Sequence, residues 1–458
     1  MSAAGRTSLP AELVEAVGAR LAQGDLAFAA RYPGEASPSF ARQPVHTVYG
    51  GAQLFRFDLA RKLGDLALAS MDAYAPDDAS FADALGLPVP LAETVRARVL
   101  EKLRREPVED LRVDFEDGYG ARPDAEEDGH AEAAAREMAR GLREGALPPF
   151  VGIRIKPLNA EMRARAVRTL DLFLTTLVGE TGGRLPDGFV VTLPKVTHAL
   201  EVAALADLLD ALEAALGLAA GAIRLELMIE TPQSILAPTG EIALHGLYAA
   251  ARGRCAAAHF GAYDYTASLG VSAADQTLTH PACDFARQWM ALAYAGTGVR
   301  ISDGATNVLP IAPHRAAKGA PPLGALALEE NRRAVHGAWR LHQQHIQRAL
   351  EQGFYQGWDL HPAQLPVRYA AVHAFFLGNL KPAAERLRNF VAKAAQATLV
   401  GTAFDDAATG QGLLNFFLRA LAVGALTEDE VAAHTTLSTE ELRGRSFLRI
   451  AASRGRAA

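Results

Sequence analysis

The sequence predicts a (β/α)8 TIM barrel, and three observations carry that prediction. Eight short β-rich runs recur along the chain, most of them separated by helix-length intervals. Repeated strand–helix units give a parallel sheet with right-handed crossovers, and eight such units close a barrel. Acids and bases gather at the ends of these runs, where a barrel of this kind carries its site.

Composition narrows the class. The 458 residues fit one large barrel with additions. Hydrophobic residues make up 50% and charged residues 21%, which describes a globular protein with ample core. A formal net charge of −6 offers no basic face for nucleic acid. Two cysteines, Cys255 and Cys283, are too few for a disulfide framework, so a reducing, cytoplasmic setting is expected. The N-terminal stretch has no basic region followed by an apolar core, so it does not read as a signal peptide. No charge-free apolar run approaches the roughly 20 residues that cross a bilayer, so no membrane partner is expected.

The elements follow in order. Residues 9–32 have apolar positions at helical spacing, and 33–43 is a turn-rich linker, so 1–43 reads as an N-terminal extension. Strands are expected at Val45–Tyr49, Leu111–Phe115, Phe150–Ile155, Gly188–Leu193, Arg224–Ile229, Cys255–Phe260, Val299–Ser302 and Gly357–Leu360. Between them helices are expected at Gln53–Ser70, Leu91–Arg105, Asp124–Glu144, Glu161–Glu180, His198–Leu216, Phe285–Ala295 and Leu326–Gln352. The acidic, alanine-rich Asp124–Glu144 reads as solvent-facing, and residues 71–90 as a long loop. The barrel thus spans 44–365. Helical segments at Val367–Phe376, Ala383–Thr398, Gly412–Leu421, Glu428–His434 and Thr439–Arg449 make 366–458 a C-terminal helical module.

The stretch Leu225–Gly270 organises the chemistry. One apolar run ends on Glu230, and the next, a strand–helix unit later, leads to Asp264. Buried strands that finish on carboxylates suit a hard cation such as Mg²⁺, which takes oxygen ligands and keeps positions for substrate oxygens. Arg154, in VGIRI, is a guanidinium among apolar neighbours and needs an anion, for which its fork fits a carboxylate. In DFED, Asp114 and Glu116 share one face of the strand and Asp117 begins the loop. Acids this close repel unless cations separate them, and Arg154 and Lys195 are the expected partners. Tyr49 and Gly50 end the first strand, Lys156 follows the third, and His361 precedes a proline after the last. His336, His342 and His345, on one long helix, read as a solvated face.

At these residues the chain resembles the citrate lyase β-subunit/HpcH–HpaI aldolase superfamily, whose members have the phosphoenolpyruvate/pyruvate-type TIM barrel. DFEDGY (Asp114–Tyr119) looks like the family's DLEDAV, and RIK (Arg154–Lys156) like its RIN. LPK is Leu193–Lys195, IETP is Ile229–Pro232, FGxxDYxxxLG is Phe260–Gly270, and LHPAQ (Leu360–Gln364) looks like IHPAQ. The likeness covers roughly residues 110–365. It departs at the first strand, in Lys156 for the usual amide, and in lacking a DGxMID-like segment, for which Asp405 and Asp406 are the nearest acids.

The resemblance implies Mg²⁺, with Mn²⁺ as an alternative, on Glu230 and Asp264, and Arg154 gripping a substrate carboxylate. It implies a carbon–carbon lyase or aldolase that acts on a β-hydroxy acid or acyl-CoA thioester and releases or uses a 2-oxo acid through an enolate. Arg154, Glu116, Asp117 and Lys195 are the catalytic candidates; Arg154, Lys156, Tyr49, Gly50 and His361 are the substrate-binding ones. A homo-oligomer, a trimer or a hexamer, is expected. Two other readings use the same scaffold: phosphoryl-transfer or isomerase chemistry on phosphoenolpyruvate-like substrates, for which Lys156 and the turn after Tyr49 would suit a phosphate, and a non-catalytic metabolite-binding barrel.

Overall fold

The computed structural model describes residues 8–33, 42–316, 319, 321–392, 398–400, 403–405, 407–444 and 449–450. Eight parallel strands close a barrel in sequence order: β1 His46–Gly51, β2 Asp110–Asp114, β3 Phe150–Arg154, β4 Val190–Leu193, β5 Arg224–Ile229, β6 Cys255–Phe260, β7 Arg300–Ala305 and β8 Gln356–Asp359. Closure is made by β1 against β8, with His46 opposite Gly357 and Val48 opposite Asp359. The strands are short, and β2, β4, β5 and β6 are almost wholly buried, as parallel strands enclosed by helices should be. Helices flank the barrel, and one continuous hydrophobic core joins their inner faces to the outward side chains of the strands.

Several local expectations change. Residues 71–90 are not a loop: the preceding helix, Leu59–Tyr74, continues into them, and Asp78–Leu85 forms another. Asp77 and Ser80 cap that helix reciprocally, and Gly86 ends it in the left-handed conformation, so start and stop signals were both present. Residues 52–58 hold a short 3-10 turn, Ala52–Leu54, instead of the start of a long helix. The helix Asp124–Glu144 buries Ala131, Ala134, Ala135 and Met138, because its alanines leave room for close packing on the helix Arg163–Thr181. β7 runs on to Ala305.

In the tail, the two expected helices merge into Leu365–Ala392, which passes through Pro382. Buried Leu380, Ala384 and Leu387 hold the helix on both sides of the donor that proline lacks. A small antiparallel pair, Thr398–Val400 with Ala403–Asp405, follows. Helices Ala407–Ala422 and Glu428–Thr435 pack on Leu365–Ala392. Contacts such as Gln43 N–H to the Ala422 carbonyl (2.8 Å) tie the tail to the end where β1 enters the barrel, opposite the mouth. Residues 34–41 of the linker, 393–397 and 445–448 of the expected tail helices, and Asp406 lie outside the described residues.

Candidate functional site

The site forms at the carboxyl ends of β2 to β6. Its centre is Lys195, the residue after the Leu193–Pro194 end of β4. Lys195 has φ of 51°, a left-handed conformation that a lysine adopts only under constraint from its surroundings. The constraint is visible: its backbone N–H donates to Glu230 Oε1 (2.7 Å) while its ammonium reaches three other carboxylates. Nζ lies 2.6 Å from Glu116 Oε1, 3.2 Å from Asp117 Oδ2 and 3.4 Å from Asp264 Oδ2. Beside it, Arg154 donates from Nε and Nη2 to Asp114 (2.7 and 2.6 Å), and its Nη1 stands 3.1 Å from Glu116 Oε2.

Each acid is placed by its local sequence. Glu230 ends β5, and the helix start beyond it is capped by the Thr231 hydroxyl, not by Glu230. Opposite Glu230, Gly261 leaves room that no other residue would: a Cβ there would stand 2.3 Å from Glu230 Oε2. Asp264 sits in the first turn of the helix Ala262–Ser268. Asp114 accepts from the N–H groups of Glu116 (3.0 Å) and Gly118 (2.8 Å), which folds the DFEDG turn back over the strand end.

Electrostatics are lopsided. Five carboxylates, of Asp114, Glu116, Asp117, Glu230 and Asp264, share two cations, Arg154 and Lys195. Glu230 shows the result: burial and the Asp264 charge push it up to about 8, against the pull of Lys195 and Arg154. Burial also raises Glu116, despite Arg154 and Lys195. Asp117 is lowered: burial would raise it, and hydrogen bonding with Glu116 and the two cations outweigh that. Its side chain is 59% exposed, against 1% exposure for the whole Glu230 residue, so the acids run from open solvent to the barrel interior.

The remaining candidates are dispersed. Lys156 is not at the mouth: its ammonium is held by Glu127 Oε2 (2.6 Å) and the Phe115 carbonyl (2.7 Å), on the helix side of β3. Strict alternation would put Lys156 on the face of Arg154; it no longer holds because Lys156 lies two residues beyond the end of β3, where the chain has left the sheet. Gly50 points away from the interior, toward Leu59. It is Gly51 that needs to be glycine, because a Cβ there would stand 2.3 Å from the Gly118 carbonyl. The Tyr49 hydroxyl points down the barrel, to His259 Nδ1 (3.0 Å) and Glu226 Oε1 (3.3 Å), not toward the mouth. His361 caps the turn Pro362–Gln364 through Nδ1, and burial lowers it. His336, His342 and His345 are buried, not solvated; His342 bridges Asp359 (3.0 Å) and Thr306 (2.8 Å).

Two features were not anticipated. Trp358 of β8 packs on Tyr49 (ring centroids 4.3 Å apart), and the Arg154 guanidinium lies over both rings, 4.8 Å from Tyr49 and 5.5 Å from Trp358. Arg154 Nη1 and Trp358 Nε1 are buried donors without an aligned hydrogen-bond partner. Below them lies a second charged cluster. Asp110, Glu226 and His259 bring ligand atoms within 4.8 Å of one another, but Arg112 stands between the acids and bonds both, at 2.6 Å to Glu226 Oε2. Acids alternating with apolar residues in two buried strands, at Asp110/Asp114 and Glu226/Glu230, were the available signal.

Fold and mouth together define a (β/α)8 barrel with an acid-rich site at its strand ends. The chain belongs to the family described as a domain of unknown function, DUF6986, whose model matches residues 21–450. No curated protein matches it in sequence. Among solved structures, a citrate lyase from Burkholderia xenovorans LB400 is similar at 18% identity and TM-score 0.56, over 85% of this chain and 95% of that one. A citrate lyase β subunit from M. tuberculosis, complexed with oxaloacetate and magnesium, matches at 16% identity and TM-score 0.39, over 73% of this chain and 98% of that one. A Haloferax volcanii malate synthase matches at 14% identity and TM-score 0.44, over 90% and 98% respectively. The likeness to the first shows a shared fold, the barrel that the strand-end motifs implied.

Proposed function

We propose that this chain is a Mg²⁺-dependent carbon–carbon lyase or aldolase acting next to the carbonyl of a 2-oxo acid. The observation that carries the proposal is the excess of acid at the mouth. A buried Glu230 raised to about 8 beside Asp264 is a carboxylate pair short of a cation. Oxygen donors on two strand ends, one deeply buried and one open, suit Mg²⁺ in type and charge. Glu230 and Asp264 would hold it, and when bound it would polarise the substrate carbonyl and stabilise oxyanion charge. The barrel shared with a protein described as a citrate lyase agrees with this class.

The chain's own residues supply the rest. Asp114 takes one edge of the Arg154 guanidinium through Nε and Nη2, leaving Nη1, which is ion-paired with Glu116 but has no aligned hydrogen bond, as a preset donor for a substrate carboxylate. Lys195 brings positive charge where oxyanion charge develops, and its backbone N–H orients Glu230. Asp117, ionised and exposed, is placed to take the hydroxyl proton of a β-hydroxy substrate; Glu116, raised by burial, is the more easily protonated partner. The substrate's hydroxyl proton leaves as its C–C bond breaks, giving a carbonyl product and an enolate that takes up a proton. With Lys156 engaged by Glu127, the cation that would have suited a phosphate is absent from the mouth, which leaves the turn after Tyr49 as the one feature favouring that reading. An acyl-CoA thioester as the alternative substrate and a trimeric or hexameric assembly belong to the same proposal.

A thermal-shift series tests it, with oxaloacetate, pyruvate, glyoxylate, phosphoenolpyruvate, acetyl-CoA and malyl-CoA, each with and without Mg²⁺. Ligand at a hundredfold excess over Kd stabilises by about 2.7 kcal/mol. A Mg²⁺-dependent shift with a 2-oxo acid is expected. A shift with phosphoenolpyruvate alone, or Mg²⁺ binding with no response and no turnover on any of these compounds, contradicts the lyase reading.

A further inference from the structure

The barrel interior raises its own question. TIM barrels ordinarily fill this space with branched apolar side chains. Here β2 pairs only with β1 and β3, yet Arg112 reaches Thr192 on β4 and Glu226 on β5, so it crosses the interior. Tyr49 on β1 likewise crosses to β5 and β6. A buried charge is tolerated only when paired and hydrogen-bonded, and this one is paired throughout. Glu226 accepts from Arg112 (2.6 Å) and Thr192 (2.7 Å) and faces His259 Nε2 at 3.0 Å. Asp110 binds Arg112 and Thr47.

The cluster has the residue types of a metal site, but Arg112 already supplies its cation. What the network holds is Tyr49. With Nε2–H of His259 turned to Glu226, its Nδ1 accepts from the Tyr49 hydroxyl (3.0 Å), a tautomer assigned from the hydrogen bonds. The Tyr49 ring is then clamped between that anchor and Trp358, and the Arg154 guanidinium rests on its face. Asp114 fixes Arg154 within the guanidinium plane; the ring fixes the tilt of that plane. We propose that Tyr49 and His259 are positioning residues for Arg154, and that the Arg112–Glu226–His259 network exists to set the orientation in which Arg154 meets a substrate carboxylate. The substrate part of this inference rests on the proposed lyase reading.

The test uses the full-length protein with Mg²⁺ and pyruvate as probes. Tyr49→Phe keeps the ring and removes its anchor. His259→Leu removes the acceptor, and His259→Gln restores one. Calorimetry should show pyruvate Kd rising roughly tenfold in Tyr49→Phe and His259→Leu, since misaligning one charge-assisted hydrogen bond to a carboxylate costs about that much in affinity. His259→Gln should recover part of the loss, and Mg²⁺ Kd should stay unchanged in Tyr49→Phe. Unchanged pyruvate affinity in Tyr49→Phe, or equal weakening of Mg²⁺ and pyruvate, overturns the inference. If the wild-type protein binds neither pyruvate nor any other 2-oxo acid of the thermal-shift series, the lyase reading fails first. The positioning claim is then read from a crystal structure of Tyr49→Phe, where Arg154 should leave its place over the ring; an unmoved guanidinium overturns it.

Discussion

Two carboxylate clusters sit on the same strands, two periods of the β pleat apart, and behave differently. Asp110 and Glu226 lie deep in the barrel; Asp114 and Glu230 lie at its mouth. The deep pair is closed by Arg112, and its Glu226 is pulled well below the ordinary carboxylate range: burial raises it, but Arg112 and His259 outweigh that. At the mouth, two cations are shared among five acids, and Glu230 moves the other way, up to about 8. Counting ligand types alone would favour the deep cluster, which has a histidine and two acids at ligand spacing. Charge balance favours the mouth. A cation site is marked by the missing counter-charge, not by the number of donors.

The largest expected effect follows from removing the acid at the mouth. Glu230→Gln or Asp264→Asn should abolish Mg²⁺ binding in calorimetry and reduce turnover by roughly a hundredfold or more, with the fold intact by circular dichroism. Normal Mg²⁺ affinity in both variants would sink the comparison. At the deep cluster the same kind of change should strike stability instead. Arg112→Ala leaves two buried acids uncompensated and should cost about 3–5 kcal/mol in chemical denaturation; a loss under 1 kcal/mol would show that the interior is hydrated and the contrast with the mouth is overdrawn.

A pH experiment sharpens the contrast further. Glu230 is raised in the folded protein from 4.5 to about 8, so without metal the folded chain holds a proton there that the unfolded chain has already released. Its stabilising contribution is present below about pH 4.5 and is lost as pH rises through about 8. Mg²⁺ binding at pH 7 should therefore expel close to one proton, seen as a dependence of the calorimetric heat on buffer ionisation enthalpy. Equal heats in all buffers would contradict a protonated Glu230. The smallest effect is expected at Lys156→Met, which breaks the Glu127 pair behind β3. Arg165 and Thr169 remain beside Glu127, so a loss of about 1–3 kcal/mol is expected with unchanged Mg²⁺ and pyruvate affinity. Weaker ligand binding would return Lys156 to the site.

These contrasts also show what the sequence made legible. The eight strands and the gathering of Glu116, Asp117, Arg154, Lys195, Glu230 and Asp264 were readable, because a strand end fixes where a polar residue must go. Lys156 and Gly50 were misplaced for two reasons: two residues past the end of β3 the alternation no longer holds, and one residue along β1 turns a position to the helix layer. The network under Tyr49 was hidden because Arg112, Glu226 and His259 each look like an ordinary charge until the barrel closes. Only closure brings β1, β2, β5 and β6 face to face. The buried histidines of the helix Ala325–Glu351 were unreadable for a related reason, since His342 meets Asp359 only when the helix folds back along β8, the strand that follows it.

The most direct test of the charge-balance account is anomalous diffraction from a crystal soaked in Mn²⁺, which takes the same oxygen ligands as Mg²⁺. The account predicts one peak, between Glu230 and Asp264, and none between Asp110, Glu226 and His259. A peak in the deep cluster, or an empty mouth at saturating Mn²⁺, would contradict it.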